Sequence, residues 1–396
     1  MKKLIILLGL MIVAAGLVFA ASEEVQVYEY LYNSAPNNSG QLDILQNMAE
    51  SRLSGAGEFY AKALQRLVSE YRNIRSVTEK NAADEQAILL SALLGAEKYT
   101  QAAADLWRVV DLFSSPLVKA EALMALGKIR ATNYLPQVIR VLESVNAAPT
   151  TDRLNGERIA FGAIISLEKY QDPAGYLPVY FASVGWYSDR IKNQAAKSLP
   201  FISDDPTSFM MDVVRGSAYD FSTKYGALRA IEASKVDNKK KVDTAVIALA
   251  EGWRSASNDV QMRTTLANMR KLAINMISRY KTDDEAVYPL LERCYSQGFD
   301  STEKIDAVRT LALLGTDEAA RRLAKFLAEL NDKRRSDNIR PEDEQMVREI
   351  IPAIGRAGRP NVMESRAALI GVSSSNWTPR VVALANDAMK QLDNRR

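Results

Sequence analysis

Histidine is absent from this 396-residue chain, and cysteine occurs once, as Cys294. Without imidazole there is no histidine triad, no histidine general acid or base, and no histidine metal ligand. A single thiol forms neither an internal disulfide nor a multi-cysteine zinc site. Excess charge of one sign is also missing: 51 Lys and Arg stand against 48 Asp and Glu. A dedicated nucleic-acid binder needs a concentrated basic face, so no nucleic-acid partner is expected. The chain lacks a phosphate-cradling Gly-rich loop ending in Gly-Lys-Ser/Thr, a Gly-x-Ser-x-Gly elbow and an alternating acidic calcium loop. No cofactor and no metal are expected, and the catalytic residue set is read as empty.

The long hydrophobic run is at the start. Lys2 and Lys3 precede an apolar stretch from Leu4 to Phe19, and Val18-Phe19-Ala20 fits a small-residue cleavage rule. This is the form of a signal peptide over residues 1–21, cut near Ala20 or Ala21. The alternative is an uncleaved anchor, the one route by which this chain would touch a membrane. Either way the body is expected in the periplasm or secreted. Without the signal, Lys and Arg number 49 against 48 acids.

Residues 22–40 read as an N-terminal leader, because Asn33 to Gly40 has loop composition. Helical periodicity starts near Leu42, and residues 41–80 read as capping helices. From 81 to 396 a module recurs, seen most plainly at Pro116 to Val145. Val118, Ala122, Leu123, Leu126 and Ile129 share one helical face; Leu135, Val138, Ile139, Leu142 and Val145 share a second. Such a hairpin buries one side only and has to lean on copies of itself. Anchors at Leu94, Leu126, Leu167, Leu199, Ile231, Ile277, Leu314, Ile354 and Met389 are spaced by 32 to 46 residues, about 37 on average. Periods in that range belong to helical solenoids. The fold class expected is therefore all-α, an α-solenoid. The small residue before each anchor is expected to permit close helix approach, and the Gly after it, as in Gly95 and Gly127, to end the first helix in a left-handed turn.

The pattern resembles HEAT repeats, in particular the shorter HEAT-like repeats of phycobilisome-lyase-type proteins, here in an exported bacterial form. It is carried by Ala92-Leu93-Leu94-Gly95, Ala125-Leu126-Gly127 and Ala353-Ile354-Gly355, by Pro136, Pro178, Pro206, Pro289 and Pro360 opening second helices, and by Asp172, Asp205 and Asp284 before them. It covers roughly residues 80–392. It departs where Leu199 is followed by Pro200 and Leu167 by Glu168. The resemblance specifies fold and hardly function. The long concave surface of a curved stack, with the export signal, leads to the expectation of a non-catalytic scaffold that binds protein partners in the periplasm or cell envelope. Two alternatives are a bilin-lyase-like enzyme, onto which no catalytic residue carries over, and a cell-wall or carbohydrate binder.

Three insertions, Asn146–Glu157, Val236–Lys241 and Asn331–Glu344, read as solvated loops on an edge. Ser166 and Lys169 match a Ser-x-x-Lys spacing inside a repeat helix without its companion motifs. Cys294 has no base to activate it. Asp204-Asp205 and Asp283-Asp284-Glu285 read as helix N-terminal acids. The aromatic residues remain: Tyr180, Trp186, Tyr187, Trp253 and Tyr295 fall at related positions along the repeats. They form either an interaction row or a cap on the hydrophobic layer, and their exposure decides between the two.

Overall fold

The computed structural model describes residues 23–148, 152–254, 258–282, 284–357 and 361–394. The expected signal segment 1–21 and the expected helix-opening Pro360 lie outside them. Among the described residues all regular structure is helical, and the fold is an all-α solenoid of stacked helices. By its internal contacts the chain divides into two compact units, Met1–Asp204 and Asp205–Arg396, where the sequence suggested no break. The division follows Pro200, which sits in the last turn of its helix; Ser203 then turns extended, and Pro206 opens the next helix. Proline tolerates neither side of that junction as continuous helix.

The first unit contains α1 (23–34), α2 (Asn38–Glu50), α3 (Gly57–Glu70), α4 (Val77–Glu97), α5 (Ala103–Leu112), α6 (Pro116–Lys128), α7 (Leu135–Ala147), α8 (Arg153–Tyr170), α9 (Tyr176–Val184) and α10 (Asp189–Ile202). Of the segment read as a leader, 22–40, the described residues from 23 onward are largely helical, and Tyr32 joins the core. Tyr32 is 2% exposed, packs edge-on against Phe59, and donates its hydroxyl to Gln86 at 2.9 Å. Gln86 in turn donates to the Asn38 carbonyl at 2.8 Å. Loop-forming residues at 33–40 masked this, because Asn37 serves as an N-cap for α2.

First helices α2, α4, α6, α8 and α10 stack in order, and the second helices lean on them. Each second helix packs most extensively on the first helix that follows it: α3 on α4, α5 on α6, α7 on α8, α9 on α10. The hairpin drawn from the sequence, α6 with α7, is therefore not the tight pair. A 3-10 turn at Thr132–Tyr134 swings the chain away, and Leu135, Val138 and Leu142 of α7 are buried instead against α8.

The glycines after the anchors have a different task from the one expected. Gly95 and Gly127 are helical, and the left-handed residues that end these helices are Lys98, Arg130 and, after α8, Gln171, with φ of 53°, 52° and 57°. What needs glycine is backbone proximity. A Cβ on Gly127 would lie 2.5 Å from the Ser166 Cα, and one on Gly162 would lie 2.6 Å from the Ala120 Cα. The first helices α6 and α8 thus touch backbone to backbone at both ends of their contact.

The second unit continues the same grammar with second helices α11 (Thr207–Arg215), α13 (Asn238–Glu251), α15 (Val287–Gln297), α17 (Asp317–Arg335) and α19 (Met363–Ser373), and first helices α12 (Phe221–Ala233), α14 (Val260–Tyr280), α16 (Ser301–Leu314), α18 (Pro341–Ala357) and α20 (Pro379–Asp393). Asp220, Asp237 and Asp300 cap helix N-termini through Thr223, Lys240 and Glu303 amides. Gly315 ends α16 in the left-handed conformation expected of a terminal glycine. The supposed loop Asn331–Glu344 is mostly helix, and only 336–340 connects α17 to α18. Val236–Lys241 likewise supplies the cap and first turn of α13, with Lys241 folded back onto the Glu232 carbonyl at 2.8 Å.

Candidate functional site

The five aromatic residues singled out by position are each spent on an internal contact. Tyr180 on α9 is 2% exposed, its hydroxyl buried without a hydrogen-bond partner, and burial pushes its pKa upward. Tyr187, also 2% exposed, stacks on Trp186 at 4.2 Å between ring centres and donates to the Asn146 Oδ1 at 2.8 Å. Trp186 is partly buried and donates its indole N–H to the Val145 carbonyl at 3.1 Å. Tyr295 on α15 lies nearly parallel to Phe326 on α17, 3.9 Å away. Trp253 follows α13 and is held between two guanidinium groups, Arg270 at 4.1 Å and Arg293 at 4.6 Å. Three of the five lie in the first unit and two in the second; Tyr180 and Tyr187 are buried, and Trp186, Trp253 and Tyr295 are half-buried.

Trp253 marks a feature that sequence reasoning missed. Arg270 on α14 and Glu303 on α16, 33 residues apart, form a buried two-pronged ion pair with contacts of 2.5 and 3.0 Å. Arg270 also donates to the Gly252 carbonyl at 2.8 Å, and Glu303 accepts the Phe299 amide at 2.9 Å. Gly252 accommodates the arginine stem, since a Cβ there would lie 2.5 Å from Arg270 Cγ. A buried pair of this kind fixes register more surely than it adds stability. A second buried pair, Lys224 to Glu251 at 3.0 Å, joins α12 to α13. Neither was legible from spacing, because an amphipathic pattern does not say which charged residue turns inward.

Cys294 is fully buried in the same region. Burial, with the Glu303 charge adding, pushes its thiol up to about 12. A thiol in that state is inert. Ser166 is buried against Gly127, while Lys169 is exposed and paired with Glu168 at 3.0 Å, so the Ser-x-x-Lys spacing does not assemble into a nucleophile and base. Asp205 and Asp284 cap backbone amides at Thr207 and Ala286, as their positions suggested; Asp283 lies outside the described residues. Among the described residues no His, Cys, Asp and Glu group could hold a metal ion, and no helix is long and apolar enough to cross a membrane.

Open grooves lie along the second helices. In the first unit one of about 450 Å³ separates α5 from α7, lined by Trp107, Val141 and Val145 together with Asp111, Lys119 and Arg140. In the second unit one of about 390 Å³ lies between α17 and α19, lined by Ala324, Ala328 and Ala367 together with Arg321, Lys325 and Glu364. Both are lined by small or apolar residues together with charged ones. No protein-family model matches this chain and no curated protein is significantly similar to it; the assignment it supports is the fold, an all-α solenoid of stacked helical pairs.

Proposed function

We propose that this chain is a non-catalytic, HEAT-like scaffold that binds segments of protein partners in the periplasm or outside the cell. The observation that supports this reading most is the recurrence, in both units, of a groove between consecutive second helices lined by small or apolar residues together with charged ones. Stacked-repeat proteins use extended surfaces of this kind for binding. The address rests on Lys2, Lys3 and the apolar run that follows.

The test is site-specific cross-linking in the native cell envelope. Photoreactive residues placed at Val141 and Ala328, one per groove, should trap the same few proteins reproducibly. The same probe at exposed Glu342, which lines neither groove, should not. Random, irreproducible adducts from the grooves would overturn the proposal.

A further inference from the structure

The first helices of the first unit end at a groove that the second-helix surface does not include. Its volume is about 960 Å³, and it is lined by the C-terminal ends of α4, α6 and α8. Lys98, Lys128, Arg130 and Lys169 converge on it, against one lining carboxylate, Glu168. That carboxylate is already engaged by Lys169 at 3.0 Å and by the Ser198 hydroxyl at 2.7 Å, and Lys128 lies 3.7 Å from Glu121, so Lys98 and Arg130 are the lining cations without a carboxylate partner among the described residues. Lys98 and Arg130 occupy equivalent left-handed corners and are exposed, and Arg130 is steadied by the Gln171 side chain at 2.8 Å. Phe201 closes one end with 59% of its surface in water. A lysine beside a helix C-terminus is favoured by the helix dipole, which accounts for one cation per helix end. The dipole does not account for Lys98 and Arg130 lining one groove beside an exposed aromatic ring.

The spacing restricts what fits. Packed helices stand roughly 8–10 Å apart, so cations on successive first helices repeat at about that step. A polyproline-type strand has three residues per turn and rises about 3.1 Å per residue, so every third side chain recurs on one side after about 9 Å. Resting on the reading of this chain as a protein-binding scaffold, we infer that this groove binds an extended acidic protein segment with a carboxylate at every third position and an apolar side chain against Phe201.

The experiment is fluorescence anisotropy with the purified full chain, at about 50 mM salt, where exposed charges are least screened. The probe is a labelled peptide of repeating Glu-Pro-Pro ending in Leu. One control has the same composition with the glutamates adjacent; another is a single-stranded oligonucleotide of equal charge. The repeating peptide should bind roughly tenfold more tightly than its rearranged control, and Lys98→Glu with Arg130→Glu should weaken it by roughly tenfold or more. Phe201→Ala should remove the contribution of the terminal Leu. Helix content and melting of each variant, followed by circular dichroism, should match the parent, since all three residues are at the surface. Equal affinity for both peptides, tighter binding of the oligonucleotide, or an unaffected charge-reversed variant would each overturn the inference. Loss of peptide binding here, with the cross-links at Val141 and Ala328 intact, would leave the scaffold proposal standing; the opposite pattern would remove that proposal alone.

Discussion

The indole N–H of Trp377 donates to the side-chain carbonyl of Asn331 at 2.8 Å, across 46 residues of sequence. The Asn331 amide then donates to the Ala368 carbonyl on α19 at 3.0 Å. The first unit repeats the device with different residues. Asn146 near the end of α7 accepts from Tyr187 and donates to the Pro178 carbonyl on α9 at 2.9 Å. In both units an asparagine on one second helix clasps the backbone of the next, and an aromatic group from the following loop locks it.

Breaking this clamp should be costly at the buried site. Asn331→Ala strands the Trp377 N–H, and the loss of a buried partner costs about 1–3 kcal/mol. Trp377→Phe removes the donor and keeps most of the ring, so its cost should be smaller. Amide hydrogen exchange in α19 should report both changes, because distant repeats of a stacked protein do not unfold as one. Unchanged protection in α19 after Asn331→Ala would refute the clamp.

Two glycine substitutions should move stability in opposite directions. Gly40→Ala meets nothing closer than 3.5 Å, so the better helix propensity of alanine should stabilise α2 by up to about 1 kcal/mol. Gly127→Ala drives a methyl group into the α8 backbone, 2.5 Å from Ser166 Cα. Overpacking of that kind costs about 1–3 kcal/mol and outweighs the propensity gain. Thermal melts of the two variants side by side give the comparison.

The Arg270–Glu303 pair predicts an asymmetry between single and double changes. Glu303→Ala leaves a guanidinium buried and unpaired, which costs about 3–5 kcal/mol. Arg270→Met combined with Glu303→Leu removes both charges and should recover most of that loss. Urea denaturation followed by Trp253 emission measures each, since this ring faces Arg270 directly.

Asp205 carries a signature in acid. The hydrogen bond from Lys240, at 2.6 Å, holds its carboxyl down at about 2, with the Thr207 hydrogen bonds contributing. A carboxyl depressed in the folded state adds stability above its ordinary value of 3.8, and that stability is lost as pH falls towards about 2. The Asp205 resonance should therefore titrate near 2 by NMR, and Lys240→Ala should return it towards the ordinary carboxylate range. Both side chains are about half exposed, so the effect on overall melting should be slight.

Cys294 should resist thiol reagents at pH 8 in the folded protein and react at once in denaturant. Its thiol is fully buried and pushed up to about 12, so almost none is thiolate under those conditions. Rapid labelling of the native chain would show that α15 opens far more readily than its packing implies.

Helical periodicity carried the fold in the sequence, because the apolar positions Val118, Leu123, Leu126 and Val138 repeat with the turn of the helix and all proved buried. Caps were legible for the same local reason: Asp205 and Asp284 need only the next two residues to act. Pair partners were not. That α7 rests on α8 and not on α6 depends on the 3-10 turn at Thr132–Tyr134, whose residues have no strong turn signature. The aromatic positions stood out by spacing, but spacing cannot distinguish a ring that faces water from one that stacks on Phe326 or accepts Arg270. The cationic groove was missed because Lys98, Lys128, Arg130 and Lys169 lie on three helices and meet only in space.

The backbone contact between Gly127 and Ser166, and its counterpart between Gly162 and Ala120, seat α6 directly on α8, one first helix on the next. Any side chain at either glycine would have to part the two helices, so these two positions set how closely successive first helices approach in the first unit.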